Sequence, residues 1–220
     1  MVRYHIQASG MTVPALPSRP LRMASVVLIA WLWVPACEGR RQAAAPTTAD
    51  SAAVAQARAA ADALGSDLIG MLTRELARGG PSAAIAVCAD SAQERTRRHQ
   101  GGGVQVRRVG TRVRNPANTP DAVEADALSA FAAAVSDGRI PADTHFVAPA
   151  ADGTYELRYL RPVLVREPCL ACHGPAEQLA PEVRQLLAAR YPQDRATGYA
   201  VGDLRGAVSV RLPLPATPGK

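Results

Sequence analysis

Aromatic side chains are scarce in this sequence, at 4% of its 220 residues. That scarcity removes the stacking platforms on which single-stranded nucleic acids are held. A strong excess of positive charge is lacking as well. The formal charge is +6, but Arg3, Arg19 and Arg22 stand in the first 37 residues, which leaves 22 basic against 19 acidic side chains. So mild a balance supplies no electrostatic footprint for a polyanion, and no nucleic-acid partner is expected. There is no internal repeat. There is no Ser/His/Asp set, phosphate loop or paired-carboxylate motif around which to build a reaction, so an enzyme is not expected. What remains is globular in composition, 48% hydrophobic and 20% charged, with room for one ordinary domain and a leader. Few aromatics and much alanine predict thin core layers.

The N-terminus reads as an export signal. In "RPLRMASVVLIAWLWVPAC", Arg19 and Arg22 precede an apolar run from Ala24 to Val34. That run is shorter than the roughly 20 residues that span a bilayer, and it suits the apolar core of a signal peptide. "VPAC" resembles a bacterial lipoprotein cleavage box, with Cys37 as the lipidated residue, although Pro35 is unusual there. Ordinary cleavage and a retained anchor helix are the alternatives. The expected organisation is a leader over 1–37, a flexible tether over 38–50, a domain over 51–214 and a disordered tail over 215–220. The expected location is the periplasmic side of a bacterial membrane, and translation beginning at Met11 would make residues 1–10 dispensable.

Within the domain, Val54, Ala57, Ala61, Leu64, Leu68, Leu72 and Leu76 recur at helical spacing. Gly79-Gly80 predicts the end of that helix, and Pro81-Ser82 the start of a second, over 82–98, with Ile85, Cys88 and Ala92 on one face. "VQVRRV" alternates as a strand does. Thr119 is a candidate helix cap with Pro120 at the first position, and Val123, Ala127, Phe131 and Val135 form that helix's apolar stripe. "THFVAPA", Asp152-Gly153 and "TYELRYLRPVLV" predict a hairpin. A helix over 181–190 and a last strand in "RGAVSVRLPLP" close the domain.

Between hairpin and helix lies "REPCLACHGPAE", residues 166–177. C-x-x-C-H is the pattern of covalent haem attachment: Cys169 and Cys172 bond the vinyl groups, and His173 becomes an axial iron ligand. Zinc would want a second Cys/His pair, which is missing. A redox dithiol would sit in a βαβ context, which the strand-rich flank does not suggest. One haem c is the expected cofactor. Cys88, His99, His145 and Met71 are candidates for the second axial position. Cys88 has no disulfide partner once Cys37, Cys169 and Cys172 are assigned. It reads either as a thiolate ligand or as a small buried hydrophobe. His99 and His145 read as surface residues, and Met71 as a packing residue.

"AIAVC" (84–88), "VRRVGTRVRNPANTPDAVE" (106–124), "CLACHG" (169–174) and "YPQDRATGYAVGDLRGAVSV" (191–210) together resemble a family of single-haem c-type cytochromes with a PAS-like fold. That family is catalogued as a domain of unknown function, the Tll-like haem-binding domain, and the match covers most of residues 52–212. "VGTRV" stands where the family pattern has Ser-Leu-Lys, a departure that leaves the ligands untouched. The resemblance implies an α+β fold: a central antiparallel sheet flanked by helices, with covalent haem held against it. It also implies that His173 and the cysteine of "AIAVC", Cys88, are the two axial ligands. Arg107, Arg108, Arg112 and Arg114 are candidate partners of the haem propionates, Arg107 and Arg114 foremost. Tyr199 is a candidate haem contact, and Asp194 and Asp203 are turn-holding residues. The expected function is electron transfer or redox sensing through a low-spin, low-potential haem, with a redox or signalling partner protein. A gas or small-molecule sensor is the first alternative, and a non-haem zinc or interaction module the second. Nothing in the sequence specifies an oligomeric state.

Overall fold

The computed structural model of the chain describes residues 49–215. The expected leader, the lipidation site at Cys37, nearly all of the tether and all but the first residue of the tail lie outside the described residues. The elements run α1 (Ser51–Arg98), β1 (Gln105–Val109), α2 (Ala122–Ser136), β2 (Thr144–Pro149), β3 (Tyr155–Leu164), α3 (Leu170–His173), α4 (Pro181–Arg190) and β4 (Leu204–Pro213). The four strands form one antiparallel sheet in the order β1-β4-β3-β2. The Asp152-Gly153 turn joins β2 to β3 as the hairpin signal predicts, with the Asp152 side chain accepting from the Thr154 N–H. The fold is α+β with helices on both sheet faces, as expected.

Strand alternation sorts the core into two layers. Val106, Val208, Val210, Leu212, Leu157 and Tyr159 face α1, where Ala57, Ala61 and Leu64 are wholly buried. Alanines at those helical positions let α1 lie close to the sheet, which fits a core short of aromatics. Val109, Ala207 and Leu160 face α2, against Ala127, Leu128 and Phe131.

The expected helix pair over 51–98 is present as the two halves of α1, divided by a kink at the two glycines. Gly79 and Gly80 leave helical geometry, and Gly80 takes φ +69°, which suits glycine. Pro81 then restarts the helix without needing an N–H partner. The redirected half carries Ile85 into a small cluster with Val183 and Leu187 of α4 and Leu179. Cys88 lies one turn further along.

Two expectations for α2 are corrected. The cap is Asp121, whose carboxylate accepts from the Glu124 N–H at 2.7 Å while the Glu124 side chain accepts from the Asp121 N–H at 2.9 Å. That reciprocal box outcompetes Thr119, whose hydroxyl donates instead to the Pro116 carbonyl at 2.8 Å. The buried stripe is Glu124, Ala127, Leu128, Phe131 and Ala134, so Val123 and Val135 are only partly covered. The helix is turned toward its glutamate because the sheet offers cations there. Arg158 reaches Asp121 at 2.7 Å and Glu124 at 3.7 Å, Arg107 lies 3.4 Å from Glu124, and Arg211 pairs with Asp121.

Burial pushes the Asp121 carboxyl up, but the Glu124 N–H and the Arg158 and Arg211 guanidiniums outweigh it and hold it below the usual carboxylate range. A group depressed in the folded state stabilises above its unfolded pKa, about 3.9, and loses that contribution as pH falls through the folded value. Asp121→Ala should lower the free energy of unfolding at pH 7 by about 1–2 kcal/mol from the cap alone. It should also flatten the dependence of stability on pH below about 4, and urea unfolding across pH checks both. An unchanged pH dependence would contradict the role of the network.

Candidate functional site

The C-x-x-C-H motif occupies two consecutive helical turns directly after β3: a 3-10 turn over Glu167–Cys169, then α3. So short a helix cannot hold itself, and the surroundings hold it instead. Cys169 and Leu170 pack on Val165, Ala196 and Tyr199. Cys172 packs on the Ile85 cluster between α1 and α4. The chain then folds back, and the loop before β4 pairs with the motif through backbone bonds. The Gly198 N–H donates to the Gly174 carbonyl at 2.7 Å, and the Tyr199 N–H to the His173 carbonyl at 2.9 Å.

One side chain ties this junction together. Arg114 donates through Nη2 to the Cys172 carbonyl at 2.5 Å and the Ala196 carbonyl at 3.4 Å, and through Nε to Asp194 at 2.9 Å. Asp194 in turn accepts from the Ala196 N–H at 2.8 Å. The Ala196 carbonyl receives the His173 Nδ1–H at 2.6 Å. A carbonyl only accepts, so Nδ1 carries the proton and Nε2 is left as a bare lone pair. Burial, with the nearby Arg114 and Arg205 charges, pushes the His173 pKa down to about 3. The imidazole is therefore neutral at physiological pH, the state in which it binds a metal.

Cys88, Cys169 and Cys172 are all free thiols. Burial pushes the Cys88 thiol up; the Arg108 guanidinium counteracts it, and the Glu75 carboxylate adds to the rise. Burial likewise raises the Cys172 thiol; Arg114 lowers it, and charge on Cys88 opposes its ionisation. Cys88 and the motif, 85 residues apart in sequence at His173, thus lie within electrostatic reach of one another.

The arginines divide sharply. Arg107 and Arg108 are neighbours on β1 and point to opposite faces. Arg107 turns to the α2 side, paired with Glu124 and bonded to the Thr119 carbonyl. Arg108 turns to the Cys88 side, where it has no ion-pair or hydrogen-bond partner among the described residues and its Nε is buried. Arg114, expected as a haem contact, has its guanidinium committed to the Asp194 clamp. Arg112 stacks over the Tyr199 ring at 4.0 Å and donates to the Arg195 carbonyl at 3.3 Å. The His173 ring meets Tyr199 edge-on at 6.2 Å between centroids, and the buried Tyr199 hydroxyl has no partner.

Arg205 carries no individual signal in the sequence, because its placement comes from a bulge. β3 pairs Val163 with Gly206 and Leu164 with Leu204, so Arg205 is the extra residue. Bulges re-aim side chains, and this one brings Arg205 to within 5.4 Å of the Tyr199 ring centroid. Gly206 sustains it: φ is +154°, and a Cβ there would stand 2.1 Å from the Val109 carbonyl oxygen. The other axial candidates stand in contacts of their own. His99 is half-buried against Asp67 at 3.2 Å rather than solvated. His145 lies 4.0 Å from Asp143, and Met71 is buried. Asp203 holds its turn, accepting from the Ala200 N–H at 2.8 Å.

A family model described as Tll0287-like matches residues 40–213. The chain belongs to the Tll0287-like family. A solved structure described as the crystal structure of the cyanobacterial heme-protein Tll0287 is similar with a TM-score of 0.58 and 26% sequence identity, over 77% of this chain and 100% of that chain. No curated protein matches. The family resemblance read from the four segments therefore holds, and in this Tll0287-like domain those segments are the ones that meet: "AIAVC" on α1, the arginine loop, the motif, and the loop from Tyr191 into β4.

Asp194 is the hub of that meeting, since it serves both Arg114 and the Ala196 amide. Asp194→Ala should accelerate amide hydrogen exchange at Ala196, Gly198 and Tyr199 by at least about tenfold, the effect of roughly 1.4 kcal/mol. Exchange unchanged at all three would contradict the clamp.

Proposed function

We propose that the chain is a single-haem c-type cytochrome, with haem bonded to Cys169 and Cys172 and its iron held between His173 and Cys88. The observation that carries this reading is the His173 hydrogen bond to Ala196, which leaves a buried, neutral imidazole with Nε2 as a free donor beside two free thiols. The unpartnered Arg108 Nε and Tyr199 hydroxyl add buried polar groups that await a ligand. The residues present fit the group. A single-ion zinc site is less well supported, since no three His, Cys, Asp or Glu side chains among the described residues are grouped to hold one ion.

When bound, haem would supply one-electron chemistry at its iron. The chain's own residues do the rest. Cys169 and Cys172 would fix the group covalently, so affinity would not depend on the ligands. Ala196 fixes the imidazole tautomer, and the Arg114–Asp194 clamp fixes Ala196. Arg108 opposes the rise that burial and Glu75 impose on the Cys88 thiol, and so works toward the thiolate, the form in which cysteine ligates. With His173 and Cys88 both engaged, the iron would have no position left for a substrate, and a Cys88 thiolate would donate charge and lower the potential. Electron transfer or redox sensing follows, through a redox or signalling partner. The leader's Arg19, Arg22 and apolar run support export, and "VPAC" supports a lipid anchor at Cys37, in the compartment where haem c is attached.

Denatured wild-type protein should retain haem stain on a gel, and the Cys169→Ala/Cys172→Ala double variant should lose it. An unstained wild type sinks the proposal. Carbon monoxide added to reduced holoprotein should leave the spectrum unchanged on the timescale of seconds; rapid binding would favour the gas-sensor alternative instead.

A further inference from the structure

The Cys88 side of the sheet holds more cation than the chain neutralises. Arg108, Arg114 and Arg205 lie there within electrostatic reach of one another, and burial works against the charge of both Arg108 and Arg205. The carboxylates nearby are Asp194, which Arg114 holds at 2.9 Å, and Glu75, which acts on Cys88 and pairs with Arg78 at 2.9 Å. Arg108 has no partner among the described residues. Arg205 makes one bond, donating through Nη1 to the Arg112 carbonyl at 3.2 Å. Each guanidinium has five N–H donors in a planar fork shaped for a carboxylate. Two half-buried guanidiniums are therefore left without an anion, and charges drawn out of water are ordinarily paired.

We infer that Arg108 and Arg205 are a receptor for a pair of carboxylates, namely the two propionates of the bound haem. This rests on the haem reading above. The charge count favours it: ferric iron, the porphyrin dianion and one thiolate sum to zero, so the propionates are the net charge of the group. Two negative charges meet two uncompensated positive ones. Arg107 is excluded from this role by its position on the opposite face, and Arg114 by its prior engagement.

The test uses the holoprotein: wild type, Arg108→Leu, Arg205→Leu, the two lysine variants and Arg107→Lys. Resonance Raman reads the propionate bending bands, and a redox titration reads the midpoint potential. Both leucine variants should shift the bands and lower the potential, because loss of a nearby positive charge favours ferric iron. The lysine variants should shift the bands while retaining most of the potential, and they carry the test if the leucine variants do not mature. Arg107→Lys should leave both readings at wild type. Bands unmoved in the Arg108 and Arg205 variants, in protein that still stains for haem, overturn the receptor; an unstained wild type overturns the haem reading instead. Inorganic phosphate and malonate distinguish a free anion from the propionates. Calorimetry should find neither bound to the wild-type holoprotein, whereas stoichiometric binding that Arg205→Leu abolishes would show the arginines open and overturn the inference.

Discussion

The hydrogen bond from His173 to the Ala196 carbonyl is the constraint around which the domain is arranged. It selects one tautomer, and it exists only because a loop 23 residues downstream of the histidine is pressed against the motif. That loop is pinned from three directions. Asp194 holds the Ala196 amide, Arg114 spans from Asp194 to the Cys172 carbonyl, and Gly198 and Tyr199 donate to the backbone just after the motif. A four-residue helix would fray alone. Here it is braced by neighbours from β1's following loop, from α1 and from the approach to β4.

The sheet divides the molecule's charge chemistry in two. On the α2 face, cations and anions are matched: Arg107, Arg158 and Arg211 against Asp121, Glu124 and Glu156. That face is a folding device, coupling a helix cap to the strands. Beside the free thiols, Arg108 and Arg205 have no carboxylate partner among the described residues. A matched buried pair is costly to break, while an unmatched charge drawn out of water points to a ligand. A single step along β1, from Arg107 to Arg108, crosses from one regime to the other.

The elements were legible in the sequence where a local signal decided them. The hairpin around Asp152-Gly153, the helix over 181–190 and the strand at "VQVRRV" rest on periodicity and turn chemistry, and all three stand. Thr119 misled as a cap because a capping box depends on Glu124, whose burial is set by arginines from distant strands. The break at Gly79-Gly80 was visible, and it divides α1 into the two helices that the glycines predicted. The motif was plain, and the four family segments located Cys88. Arg205 was not legible, because a bulge placed it and a bulge depends on how two strands meet. Arg107 and Arg108 were indistinguishable until the sheet gave them faces.

The account reduces to the claim that Cys88 and His173 belong to one centre although α1 and the motif are far apart in the chain. Paramagnetic resonance of the ferric holoprotein, compared between wild type and Cys88→Ala, tests it most directly. The wild type should show a low-spin signal with the narrow g-spread of thiolate ligation, and Cys88→Ala should lose it, turning high-spin or taking a different ligand. A wild-type spectrum that survives the substitution unchanged would remove Cys88 from the iron and contradict the account.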